Sequence, residues 1–219
     1  NSIKPIKGVL TIYIEGDGNA WERDFPSSDP TPRHAVGLDL ALKQPSGAVA
    51  YLGRPCQYVG VGKNILCDSK LWTDQRFSEK VVRSTGYGID VLKQASGANR
   101  LVLVGFSGGG ALAMLVAARR DDVIQIITVA GNLDIDGWSK HHHIQPLTGS
   151  LNPLDSLAQN QKIPQIHFVG GQDEIVPAFL TQNLSKYYSN NMQTIYIKDN
   201  GHTCCWADQW SELWKQVSP

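Results

Sequence analysis

Residues 101–110 read Leu101-Val102-Leu103-Val104-Gly105-Phe106-Ser107-Gly108-Gly109-Gly110. Four apolar residues run into Gly105-Phe106-Ser107-Gly108-Gly109, a G-x-S-x-G pattern, and a small-residue stretch with helical character continues to Ala118. Strand, pentapeptide and helix in that order predict a sharp turn that lifts a serine above the end of a strand. Glycines on both sides allow the strained backbone and let the following helix pack closely. The plainer alternative is a tight turn whose serine only caps the helix.

Outward from this stretch, apolar runs alternate with helix-like segments. Strands are predicted at Val9–Ile14 and at residues 48–52, 100–104, 124–130, 166–169 and 193–197. Their apolarity is continuous rather than alternating, as in strands buried on both faces. Helices are predicted at residues 34–43, 77–94, 109–119, 177–188 and 207–217. Gly86 and Gly88 weaken the expectation of one unbroken helix over 77–94, where Ser78 is a candidate start. Strand–helix alternation predicts an α/β fold, with a mostly parallel central sheet and helices on both faces. Segments 16–33, 53–76 and 131–165 show no clear element; those that leave strand ends are expected to shape a ligand crevice.

The chain has 219 residues, a length suited to a single domain spanning 1–219. Twenty basic and twenty acidic residues cancel, which offers nothing to a nucleic acid or an anionic membrane. No apolar run is long enough for a transmembrane segment, and the opening Asn1-Ser2-Ile3-Lys4 does not read as a signal peptide. Of four cysteines, Cys56 and Cys67 close a short glycine-containing loop that suits either a disulfide or two buried thiols. Cys204 and Cys205 are adjacent, so pairing them closes a strained eight-membered ring around the peptide bond, and a bridge there would stiffen their loop. A disulfide would place the protein in an exported setting, periplasmic or secreted. No C-x-x-C or H-x-x-x-H spacing occurs, so no metal site is expected, and His141-His142-His143 reads as a loop.

A serine nucleophile needs a base to take its proton, and the base needs an orienting acid. Asp173 follows the strand at 166–169 and the turn Gly170-Gly171-Gln172, at the crevice edge. Glu174 is a weaker neighbour, and Asp134 and Asp136 are reserves. His202 follows the strand at 193–197, whereas His167 lies within a strand and His34 in a proline-rich stretch. The order Ser107, Asp173, His202 is that of the α/β-hydrolases. Backbone N–H donors for a developing oxyanion are expected from Gly108, after the serine, and from Asp17 in Ile14-Glu15-Gly16-Asp17-Gly18, with Gly16 and Gly18 as alternates. Trp21 and Trp206 are substrate-pocket candidates; Trp210 and Trp214 read as core, and Arg23 as a solvated loop residue.

With these motifs in place, the chain resembles an α/β-hydrolase, and within that superfamily the bacterial serine-esterase-like members. The matching stretches are Tyr13 to Gly18, Gly105 to Gly109, Gly171 to Pro177 and Gly201-His202, so the likeness spans nearly the whole chain. It implies a nucleophile at Ser107, acid at Asp173, base at His202 and oxyanion donors near Asp17 and Gly108. Glu15-Gly16 stands where the family has His-Gly, so Glu15 does not take that histidine's role. The family's two earliest strands are hardly visible, with room for one at 3–7. No large cap domain is inserted, and 131–165 allows a small lid over an open, shallow site. The expected activity is hydrolysis of a small-molecule carboxylic ester, with no cofactor. A serine peptidase or amidase on the same fold and a non-catalytic binding protein on a hydrolase scaffold are the alternatives.

Overall fold

A computed structural model describes residues 8–60, 66–185 and 191–217. Six strands form its main sheet: β1 (Val9–Ile14), β2 (Ala48–Leu52), β3 (Arg100–Phe106), β4 (Val123–Val129), β5 (Gln165–Gly170) and β6 (Met192–Ile197). They lie in the order β2-β1-β3-β4-β5-β6, and every neighbouring pair is parallel. Among the described residues the α-helices are α1 (Val36–Lys43), α2 (Glu79–Ser96), α3 (Gly108–Ala117), α4 (Ile135–His141), α5 (Ala178–Ser185) and α6 (Trp206–Lys215). A short antiparallel hairpin pairs Trp21–Glu22 with Phe25–Pro26.

Successive strand residues divide between two apolar layers. Leu101 and Leu103 of β3 pack with α2, α3 and Leu184 of α5, whereas Val102 and Val104 pack with α1 and the tryptophans of α6. Around the central strands β1, β3, β4 and β5 both sheet faces are therefore dry, which accounts for their apolar runs, whereas the edge strands β2 and β6 are partly exposed.

The topology also places the crevice. From β1 the chain crosses by α1 to β2 on one side, and from β3 it crosses by α3 to β4 on the other. Neighbouring strands whose connections leave in opposite directions open a cleft beyond their carboxyl ends. The register aligns those ends: Ile14 is opposite Gly105, Phe106 opposite Val129, and Gly170 opposite Ile197.

Several boundaries differ from the sequence reading. Helix α2 runs unbroken for 18 residues through both glycines. Gly88 lies against Leu52, where a Cβ would come within 3.0 Å of the leucine Cδ1, so this glycine serves packing rather than a break. The Ser78 hydroxyl accepts from the Val81 N–H at its start, and Gly97, at φ 72°, ends it in the left-handed conformation. Segment 131–165 holds α4 and a 3₁₀ turn at Pro153–Ser156, both too short for a clear apolar period. His141 is the last residue of α4 rather than part of a loop. The strand considered at 3–7 and the last residues of the helix read at 177–188 lie outside the described residues. Cys56 is bonded to Cys67, and Cys204 to Cys205.

Candidate active site

Ser107 occupies the turn between β3 and α3 at φ 52° and ψ −121°, a region costly for any residue with a side chain. Close packing holds it there. A Cβ on Gly105 would lie 2.3 Å from the Gly109 carbonyl oxygen, and one on Gly109 would lie 2.2 Å from that of Ile14. The Ser107 N–H donates to the Val129 carbonyl at 3.0 Å, and the Ser107 carbonyl accepts from Gly110 N–H at 2.9 Å. These bonds hold the main chain from both sides and leave the hydroxyl at the carboxyl edge of the sheet.

His202 and Asp173 reach the same point from the loops after β6 and β5. The serine Oγ lies 3.0 Å from His202 Nε2, and His202 Nδ1 lies 2.9 Å from Asp173 Oδ2. With the Asp173 side chain fully buried, a ring that donates its Nδ1–H to the carboxylate leaves Nε2 as an acceptor for the serine hydroxyl. Asp173 Oδ1 also accepts the backbone N–H groups of Ile175, at 2.9 Å, and Val176, at 2.8 Å. Those two bonds fix the carboxylate plane independently of the histidine. The two loops are stitched together: Gln172 N–H donates to the Asn200 carbonyl at 2.9 Å.

Trp206 does not line the cavity. It is fully buried in the layer under α6, and its indole N–H lies 3.0 Å from both the Gly201 and His202 carbonyl oxygens. Its proximity in sequence to His202 reflects support of the histidine loop, not contact with a ligand. Trp21, by contrast, is half exposed and lies on the cavity wall. His167, inside β5, is fully buried with Nδ1 2.8 Å from Thr128 Oγ1, and burial pushes its pKa down to about 3. The reserve carboxylate Asp134 caps α4, accepting from Gly137 N–H at 3.0 Å.

Beside the serine, the loop after β1 passes close enough that a Cβ on Gly16 would meet Ser107 Cβ at 3.3 Å. Glu15 is buried here. Its carboxylate accepts the N–H of Gly16 at 2.8 Å, of Gly37 at 3.2 Å and the Tyr51 hydroxyl at 3.0 Å, an anion seated at the start of α1. Gly16 N–H is thereby occupied. Asp17 follows, its carboxylate lying over Gly108: a Cβ there would be 2.1 Å from Asp17 Oδ1. Two arginines grip that carboxylate, Arg54 Nη1 at 2.7 Å and Arg76 Nη1 at 2.8 Å. Burial alone would raise the Asp17 carboxyl, but the two guanidiniums outweigh it and hold its pKa below the usual carboxylate range. Neither arginine was legible in the sequence, since both sit in the segment at 53–76 that lacks any periodic pattern.

Above these groups opens a cavity of about 910 Å³, walled by residues 15–21, 32–34 and 144–147 with Arg76, Trp138, Ile175 and His202. That volume belongs to a substantial pocket rather than to the shallow site expected from so short a lid segment. The extra walls come from the segment between β1 and α1 and from Trp138 of α4 with residues 144–147 after it.

The sequence matches the dienelactone hydrolase family over residues 63–203, more than half of the chain. No curated protein sequence matches it. Solved structures do match. Est1E of Butyrivibrio proteoclasticus with bound ferulic acid has a TM-score of 0.65 at 15% identity, covering 95% of this chain and 88% of that one. The Pyrococcus furiosus esterase Pf2001 has a TM-score of 0.62 at 14% identity, covering 95% and 81%. The α/β hydrolase GrgF of Penicillium sp. sh18 has a TM-score of 0.67 at 14% identity, covering 97% and 89%. At such identities the likeness is one of fold, and that fold is the α/β-hydrolase fold without a large cap.

Proposed function

The chain belongs to the dienelactone hydrolase family, and from that premise we propose that it cleaves a carboxylic ester through an acyl-enzyme formed on Ser107. A lactone is an internal ester, so the family's name and the geometry point to the same bond. The observation that carries this reading is the continuous chain of contacts Ser107 Oγ–His202 Nε2 at 3.0 Å and His202 Nδ1–Asp173 Oδ2 at 2.9 Å.

In the proposed reaction His202 Nε2 takes the hydroxyl proton as Ser107 Oγ attacks the ester carbonyl carbon. Asp173 holds the ring's orientation and stabilises the imidazolium. The carbonyl oxygen becomes an oxyanion that accepts from the backbone N–H groups of Gly108 and Asp17. On collapse, His202 gives its proton to the departing alkoxide. Water, deprotonated by the same histidine, then releases the acid and restores the serine. These groups supply nucleophile, base and oxyanion donors, so the chemistry needs no metal or organic cofactor. The buried Gly16 N–H, already bonded to Glu15, supports Asp17 over Gly16 as the second donor.

The Cys56–Cys67 bond supports an exported protein, since disulfides persist in oxidising compartments. Among the described residues no helix is long and apolar enough to cross a membrane.

A fluorophosphonate probe should label Ser107, and Ser107→Ala should lose labelling and at least about 10³-fold in ester turnover with an unchanged circular dichroism spectrum. Turnover retained by the folded alanine variant would rule out the assignment.

A further inference from the structure

Two carboxylates hold the loop after β1, and they hold it differently. Glu15 faces backbone N–H groups and a tyrosine. Asp17 faces two buried guanidiniums, one on each carboxylate oxygen. Each guanidinium is itself fixed: Arg54 Nη2 donates to the Arg76 carbonyl at 2.5 Å, and Arg76 Nε to the Thr73 carbonyl at 2.6 Å. The Arg54 guanidinium also lies over the Phe77 ring, 5.2 Å from its centroid. The loop that carries Arg54 holds the neighbouring residue too, for Gln57 Nε2 donates to the Gly16 carbonyl at 3.0 Å while its Oε1 accepts Arg54 N–H at 2.9 Å. Cys56, between those two anchors, is tied to Cys67.

A surface ion pair would leave Asp17 free to turn; a carboxylate gripped on both oxygens by buried partners cannot. Buried ion clusters are weak evidence of stability, but they do select one geometry. We propose that Arg54 is a positioning residue that acts through Asp17, aiming the Asp17 N–H at the oxyanion formed on the Ser107-bound carbonyl. The inference rests on the esterase reading above. Arg54 is absent from the cavity wall, whereas Arg76 lines it, so Arg54 can be changed without removing a substrate contact.

The test is steady-state ester hydrolysis by Arg54→Gln and Arg54→Lys, normalised to sites titrated with fluorophosphonate, together with the affinity of a trifluoromethyl ketone that forms a tetrahedral adduct on the serine. Mis-aiming one donor should cost less than the ~10²–10³-fold of deleting one outright, so Arg54→Gln should lower kcat by roughly 10- to 100-fold. Its KM should stay near the wild-type value, and ketone affinity should fall in parallel with kcat/KM. Arg54→Lys, which keeps the charge but makes fewer contacts, should fall between the two, and it carries the test if the glutamine variant does not fold. Wild-type kcat per titrated site in both variants, or equal loss of substrate and ketone affinity, overturns the positioning role while leaving the esterase reading intact. A wild-type protein that neither reacts with fluorophosphonate nor turns over esters removes both.

Discussion

His167 and His202 share a side chain and little else. His202 sits at the sheet edge between a hydroxyl and a carboxylate, and His167 sits inside β5 with a threonine hydroxyl for company. A strand position against a position just past a strand end was enough to separate them in the sequence. Burial holds His167 neutral, with its pKa lowered from 6.5 to about 3. An unfolded chain takes up the proton first as pH drops, so this residue's contribution to stability is complete above 6.5 and is lost progressively toward 3. Urea unfolding between pH 7 and pH 4 should show stability falling by up to about 1.4 kcal/mol per pH unit from this group. His167→Gln should flatten that slope; an unchanged slope would mean other groups set it. Ser107, Asp173 and His202 stand out in the sequence for the same reason as this pair, because each follows an apolar run that marks a strand end, and the folded chain brings the three within hydrogen-bonding distance. Arg54, Arg76 and the supporting role of Trp206 were not, since only the folded chain brings them to the residues they hold.

At the level of elements, glycines decide more than apolar periodicity does. Gly86 and Gly109 are both helical, yet a Cβ on Gly86 meets nothing within 4 Å, while one on Gly109 lies 2.2 Å from the Ile14 carbonyl oxygen. Opposite effects follow. Gly86→Ala should stabilise the protein by about 0.5–1 kcal/mol through helix propensity. Gly109→Ala should push α3 off β1 and cost about 3 kcal/mol or more. Paired denaturant titrations of the two variants check both signs. In the sequence Gly86 and Gly88 count against a continuous helix, because a single chain shows the cost of a glycine but not the neighbour that requires it. The central strands were easier to read, each a largely buried run of mostly apolar residues. Helix α4 and the Trp21–Glu22 hairpin strand were hidden, being too short to carry a period.

Across the whole molecule, one sheet edge gathers every residue of the site, while a covalent bridge braces the loop after β2. The Cys56–Cys67 link spans a sequence separation of 11 residues, for which chain-entropy arguments give about 3 kcal/mol. Replacing both with alanine should therefore lower Tm by about 6–12 °C in a chain of this size. Calorimetry of that double variant isolates this bridge from the Cys204–Cys205 pair, which a reducing agent would break as well. A Tm equal to the wild type would show that packing alone holds the loop.

The parallel register has an evolutionary corollary. The cavity wall hangs mostly on connections beyond the strand ends, and the two apolar layers beneath reach it only at residues such as Phe106, Ala20 and Leu147. Mutational tolerance should therefore split by depth: the wall residues Trp21, Pro32 to His34 and Ile144 to Pro146 could be rewritten for a new ester while the sheet and the Glu15–Asp17 loop are left untouched. The nucleophile turn, pinned by backbone rather than by side chains, would survive such rewriting, so changes of specificity need not re-evolve the chemistry.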